Sequence, residues 1–159
     1  MIIKEYKPTD REACIKVFNS NVPKFFASHE LDGFKSWLTS KDKAIKAFDN
    51  NESEYYYVVE IDNQIIGCGG FYIPGSGDEA RMAWGMVENS LHKKGIGRSL
   101  LEYRMDEIRR LKPGIIIALD TTQYSYGFFE KSGFTVIRFQ KDFYAKGLDR
   151  YDMVGSNII

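Results

Sequence analysis

Residues 87–101, Val87-Glu88-Asn89-Ser90-Leu91-His92-Lys93-Lys94-Gly95-Ile96-Gly97-Arg98-Ser99-Leu100-Leu101, carry the densest chemistry in the chain. The end of an apolar strand runs into a loop containing Gly95 and Gly97, and the loop runs directly into a helical pattern. Glycine lets a ligand come close to the backbone, and the first N–H groups of a helix have no partner within it. Together with the positive end of the helix dipole, those donors favour an anion. Lys93, Lys94 and Arg98 add positive charge to the same turn. The ligand this arrangement asks for is a diphosphate.

Phosphate-binding turns come in several forms. A P-loop places a lysine and a hydroxyl residue directly after its last glycine, whereas Gly97 is followed by Arg98 and Ser99, which excludes that form. A dinucleotide fingerprint needs a third glycine or alanine where Leu100 stands. Asp120, at the end of the next strand, could serve as its ribose-binding acid, so this form stays as a minor alternative. The third form has a valine at the strand end, a short loop, a basic or amide residue, two residues, glycine, any residue and glycine. Here the segment resembles the acetyl-CoA-binding motif of the GNAT superfamily of N-acetyltransferases, whose core is Gln or Arg, two residues, Gly, any residue, Gly or Ala. Phe128-Phe129-Glu130-Lys131-Ser132-Gly133-Phe134 resembles the family's other recurrent segment, a short helix ending in an aromatic, Glu-Lys, any residue and Gly-Phe.

The resemblance implies an acyltransferase that moves an acetyl group from acetyl-CoA, its cosubstrate, to a primary amine by direct attack in a ternary complex. No covalent enzyme intermediate and no metal is expected. Backbone amides from Lys93 to Ser99 (Lys93, Lys94, Gly95, Ile96, Gly97, Arg98, Ser99) would hold the pyrophosphate, and Met86, Val87 and Glu88 the pantetheine arm. His92 stands where the family has Gln or Arg and would offer a ring donor whose contact with phosphate depends on pH. Thr122 stands where the family usually has Asn and is counted with the coenzyme-binding residues. Phe129 occupies the position of the tyrosine that protonates the leaving thiolate, which a phenylalanine cannot do. Tyr126, about one helical turn earlier, is the expected substitute, with Tyr124 behind it.

An acceptor amine with a pKa of ~10.4 is almost wholly protonated at neutral pH, so a base is expected. Glu79, on the strand leading into the site, is the first candidate and Glu30 the second. The developing oxyanion would meet the N–H of Met86 or Val87, where Ala83 and Gly85 leave room. Each residue also has a plainer role: Glu79 as a solvated strand-end carboxylate, Tyr126 as a core aromatic, His29 as a surface residue. Cys68, inside an apolar strand, is a small hydrophobe and not an acyl-accepting thiol. Most of Phe25, Phe26, Phe34, Tyr55 and Tyr57 should be core, with some lining an acceptor cleft. Phe129 motivates the competing function, a noncatalytic CoA or acyl-CoA sensor.

The elements that must position these groups follow from periodicity. Ile2 to Tyr6 is a short strand, and Thr9 or Asp10 caps a helix with Ala13, Cys14, Val17 and Phe18 on one side. Lys24 to Phe48 is helical, with Phe25, Phe26, Leu31, Phe34, Trp37, Leu38, Ile45 and Phe48 as buried positions and a break suggested by Gly33 and Thr39-Ser40. Tyr55 to Ile61 and Ile65 to Ile73 form a hairpin across Asp62-Asn63. Glu79 to Val87 continues the meander with Met82, Trp84 and Met86 alternating. A helix follows from about Arg98 to Leu111. Ile115 to Leu119 reads as a strand buried on both faces, and Asp120-Thr121-Thr122 caps a short helix to Lys131. Phe134 to Phe139 and Arg150 to Val154 pair last. The expectation is one α+β domain over residues 1–159, a GNAT-like central mixed, mostly antiparallel sheet flanked by helices.

Composition fits that expectation. At 159 residues about two thirds of the unfolded surface can enter one core. The chain carries 22 basic and 22 acidic residues, so no global field is available for a nucleic-acid backbone or an anionic membrane. The two cysteines lie far apart and the two histidines supply no zinc-site spacing. With no signal-like N-terminal run, a reduced, cytoplasmic setting is expected. The partner expected is a small-molecule or peptide amine, with no nucleic acid and no membrane, and the resemblance leaves a homodimer open.

Overall fold

The computed structural model describes residues 1–46 and 53–156. Seven strands form one sheet in the order β1-β2-β3-β4-β5-β7-β6. The strands are β1 (Ile2–Glu5), β2 (Glu54–Ile61), β3 (Gln64–Tyr72), β4 (Glu79–Val87), β5 (Ile116–Thr121), β6 (Thr135–Ala145) and β7 (Leu148–Ser156). All neighbours are antiparallel except β4 and β5. Helices α1 (Arg11–Ser20) and α2 (Leu31–Lys46) cover one face; α3 (Ile96–Leu111) and the short α4 (Tyr126–Glu130) cover the other.

Two apolar layers hold this arrangement. Phe18, Phe34, Leu38, Val58 and Cys68 pack under α1 and α2, and Phe71, Leu101, Ile108, Ile117 and Met153 pack under α3 and α4. Removing a side chain of this size from water contributes about 1.5–3 kcal/mol. Asp62 and Asn63 both have positive φ (50° and 63°), the turn geometry that carries the right-handed twist of a two-residue hairpin.

Several sequence-based expectations are corrected. Gly33 does not break the helical region; α2 is continuous from Leu31 to Lys46, and Gly33 lies against the Trp84 indole, 3.4 Å from where a Cβ would sit. Phe25 precedes this helix in a turn. Phe48 and the side chain of Ile45 lie outside the described residues. Met82, Trp84 and Met86 do not share a face: Trp84, at φ 48°, reverses the alternation, so Met82 meets the α3 layer while Trp84 and Met86 meet the α1–α2 layer. Strand β5 is not buried throughout, since Ile116 is 52% exposed. Asp120 and Thr121 remain in β5, and α4 begins only at Tyr126. Helix α3 starts at Ile96, two residues earlier than Arg98, directly after Gly95 in the left-handed region. The last two strands extend well beyond the expected spans, with a register shift between Gln140 and Ala145 that hides their alternation.

Candidate active site

The parallel pairing of β4 and β5 is short: it runs only from Glu79–Ile116 to Arg81–Ala118. Beyond those residues the two strands part. On its other edge β4 stays joined to β3, with a register shift opposite Cys68 to Gly70 caused by the extra residue at Trp84. Glu88 N–H bonds Ile66 C=O at 2.8 Å, so ladder alternation directs the Val87 N–H and C=O to the opposite edge and the Met86 groups toward Cys68. Of the two expected oxyanion donors, Val87 is the one whose main chain turns away from β3.

Past β4, Lys93 (φ 64°) and Gly95 (φ 83°) both adopt left-handed backbone on either side of Lys94, just before α3. Among the described residues, the amides of Lys93, Lys94, Gly95, Ile96, Gly97 and Arg98 have no partner in the protein. Successive amides left bare by such alternating conformations form an anion-binding concavity. Ser99 does not join them, because its N–H bonds Gly95 C=O at 3.1 Å and closes the first helical turn. The turn is open: nothing lies within 4 Å of a Cβ built on Gly95, and one on Gly97 would meet only Phe128 at 3.8 Å and Val87 at 3.9 Å. Lys93 and Lys94 are exposed, while Arg98 is engaged with Glu102 at 3.1 Å on the helix surface.

Other expected residues have local partners. The His92 ring lies 2.8 Å from Val87 C=O through Nε2 and edge-on to Phe25, so it is turned toward the end of β4. Val87 C=O also accepts from the Asn21 side-chain amide at 2.9 Å, which ties the end of α1 to β4. Asn21 is 2% exposed, and its Oδ1 has no hydrogen-bond partner among the described residues. The Glu88 carboxylate accepts from the Ser90 amide and hydroxyl, capping a short turn. Thr122 is 5% exposed, and its carbonyl accepts from the amides of Ser125 and Tyr126 at the start of α4. The Tyr126 ring stacks on Tyr151 at 4.3 Å. Phe129 is wedged between Phe128 and Phe134.

The carboxylates divide between the closed and open ends of the β4–β5 seam. Glu79 lies at the closed end in an ion pair with Arg81 at 3.3 Å. Asp120 lies past the last paired residue, within 3.6 Å of Arg81 and 3.8 Å of Arg150, and accepts a hydrogen bond from the Tyr144 hydroxyl. Glu30, in the short turn before α2, accepts from the Ala27 amide at 2.7 Å. Burial pushes the Glu30 carboxyl above its ordinary range; the Ala27 hydrogen bond and His29 oppose this, and Asp120 adds to it. Burial and Asp120 also push the Tyr144 phenol up. Sequence reasoning singled out neither Tyr144 nor the guanidinium pair, because they reach Asp120 from a hairpin distant in sequence.

Under the bulge of β4 sits Arg104, 4% exposed, donating to Gly70 C=O at 3.2 Å. A Cβ on Gly85 would stand 2.8 Å from this guanidinium, so the small residue at position 85 makes room for a buried cation. Burial lowers the guanidinium pKa to about 10, still well above neutrality, so it stays charged. Cys68 is fully buried beside Cys14, as a small hydrophobe would be.

Comparison with known proteins agrees with this geometry. None of the curated proteins gives a significant sequence match. Among solved structures, a GNAT-family protein from Desulfovibrio desulfuricans superposes with a TM-score of 0.81 at 18% identity, covering 99% of each chain. The ribosomal-protein-S18-alanine N-acetyltransferase of Escherichia coli gives 0.76 at 16% identity, covering 99% of this chain and 94% of that one. An aminoglycoside 6'-N-acetyltransferase complexed with coenzyme A gives 0.75 at 15% identity, covering 100% and 98%. These likenesses establish the fold. The sequence model of the acetyltransferase (GNAT) family matches residues 18–134, which contain both the parted strands and the open glycine turn, and the chain therefore belongs to that family.

Proposed function

We propose that the chain transfers the acetyl group of acetyl-CoA to a primary amine, of a small molecule or a peptide, by direct attack in a ternary complex. The observation that carries this reading is the run of unpartnered amides from Lys93 to Arg98 next to the parting of β4 and β5. Main-chain donors at a helix N-terminus suit a pyrophosphate, and the gap between strands suits a narrow pantetheine arm alongside Met86 to Glu88. Coenzyme A in complex with the similarly folded aminoglycoside enzyme supports the same choice of ligand.

Acetyl-CoA supplies an activated acyl group, so the protein need only bind, orient and move protons. Val87 N–H is the donor for the charge that develops on the thioester oxygen. Glu30, seconded by Asp120, takes the proton the acceptor amine must lose; Glu79, joined to Arg81 at the closed end of the seam, is the weaker candidate. As the new C–N bond forms and the C–S bond breaks, sulfur keeps the electron pair. Tyr126, whose hydroxyl has no hydrogen-bond partner among the described residues, is the proton donor in place of the residue that Phe129 cannot supply. Acetyl-CoA consumption against a panel of amines, amino acids, aminoglycosides and peptide N-termini tests the proposal. Turnover with at least one acceptor is expected; CoA binding with silence across the panel would instead favour a sensor.

A further inference from the structure

The open face of β5, β7 and β6 bears a groove of about 570 Å3 whose walls include Arg81, Arg138 and Arg150 facing Asp120 and Asp152. Its charges are unevenly satisfied. Asp120 is shared by Arg81, Arg150 and the Tyr144 hydroxyl, and Asp152 is held by Arg150 at 2.9 Å. Arg138, level with Asp152 on the neighbouring strand, is exposed and has no ion-pair partner among the described residues. Arg81 is further neutralised by Glu79 at 3.3 Å, so of the three guanidiniums on the groove the one left without a carboxylate is Arg138. An acceptor carrying only ammonium groups leaves Arg138 without a counter-charge. One that pairs an amine with an anion is attracted at one end and can place its amine at the other, beside Asp120, where β4 and β5 have already parted.

From this, and resting on the acetyl-transfer reading, we infer that the groove is an anion subsite for the acceptor: the substrate is an amine that also bears a carboxylate or phosphate, with Arg138 as a specificity-determining residue. A guanidinium offers paired donors that match either anion, and matched probes separate the two sources.

Acceptors of similar size test it: β-alanine and O-phosphoethanolamine against n-propylamine and ethanolamine, with spermidine as the polycation. The parent should prefer at least one anionic acceptor over its neutral match by roughly tenfold in kcat/KM, the size expected for one charge-assisted contact. R138Q should erase that preference through KM for the acceptor while CoA affinity, a control for the fold, is retained. R138E should shift the preference toward spermidine. Equal or better use of the neutral amines or spermidine by the parent, or an anionic preference that survives R138Q, overturns the subsite. If neither these acceptors nor the wider panel of amines, amino acids, aminoglycosides and peptide N-termini turns over, calorimetry of β-alanine and O-phosphoethanolamine binding to the CoA-saturated protein decides. Binding that depends on Arg138 supports the subsite and sinks acetyl transfer, whereas binding absent or indifferent to Arg138 sinks the subsite.

Discussion

Gly95 combines φ 83° with open space around its missing Cβ, so a substitution there acts through backbone strain and not through collision. A β-branched residue held in that region costs on the order of 1–3 kcal/mol. Gly95→Val is therefore expected to distort the amide concavity and weaken CoA binding by at least about tenfold in calorimetry, a loss of ~1.4 kcal/mol. At Gly97 the reason differs: Gly97→Leu would fill the space between Val87 and Phe128 that the proposed coenzyme position requires. Both variants should keep the circular dichroism of the parent. Equal CoA affinity in either would show that the phosphates bind elsewhere.

On the proposed mechanism, Glu30 supplies the pH dependence. Its carboxyl is raised by burial, so as a base it works only after losing its proton at a pH above the ordinary carboxylate range. The acid limb of kcat/KM should accordingly lie above that range, and Glu30→Gln should lower kcat by about 10²–10⁴ and abolish the limb. Stability moves in the opposite sense. Because the folded form holds its proton more tightly than the unfolded one, the burial penalty enters as pH rises through the unfolded value toward the folded one. A chemical-denaturation series across the carboxylate range should show this decline in the parent and its loss in Glu30→Gln. If kcat survives the substitution, the base is another group.

Strand β4 does two jobs, pairing with β3 along one edge and leaving its other edge without a strand partner past Arg81. The tolerance for error along it and its neighbour is small. A Cβ on Gly70 would stand 1.9 Å from Tyr55 C=O, inside the ladder between β2 and β3. Gly70→Ala should destabilise by roughly 4 kcal/mol or more, in the range reserved for clashes that the backbone cannot relieve. Asn21→Ala removes donors to Val17 C=O and Val87 C=O in a buried site and should cost about 1–3 kcal/mol. Denaturant melts measure both, and a neutral Gly70→Ala would contradict the β2–β3 register.

What the chain's periodicity makes visible is also an element-scale matter. The hairpin at Asp62-Asn63, the glycine turn and α3 are legible because their signals are local: turn residues, a capless helix start and an apolar stripe. The reversal at Trp84 is not, since a single residue in the left-handed region leaves the residue types unchanged while exchanging the faces of all that follow. The long β6–β7 hairpin hides for a related reason, its alternation interrupted by a register shift. In the sequence Asp120 reads as an acid at a strand end and as part of a helix cap; its partners Arg81, Arg150 and Tyr144 come from three other stretches of sequence, and no spacing rule joins them.

For the whole molecule, the proposed coenzyme site draws on elements that meet only in the folded state: α1 through Asn21, β4 through Val87, and the start of α3 through its bare amides. A ligand held there binds the native form alone and raises stability by mass action, about 2.7 kcal/mol at a hundredfold excess over Kd. Thermal melts should therefore rise with CoA concentration and not with NADH. A rise with NADH alone would return the dinucleotide alternative.

The most direct measurement is a nuclear magnetic resonance titration of the 15N-labelled chain with CoA, following individual backbone amides to saturation. The amides of Lys93 to Arg98 should show the largest shifts, with Ser99, already bonded to Gly95, moving less. Saturation with those resonances unmoved would contradict the claim that main-chain donors of this turn grip the coenzyme.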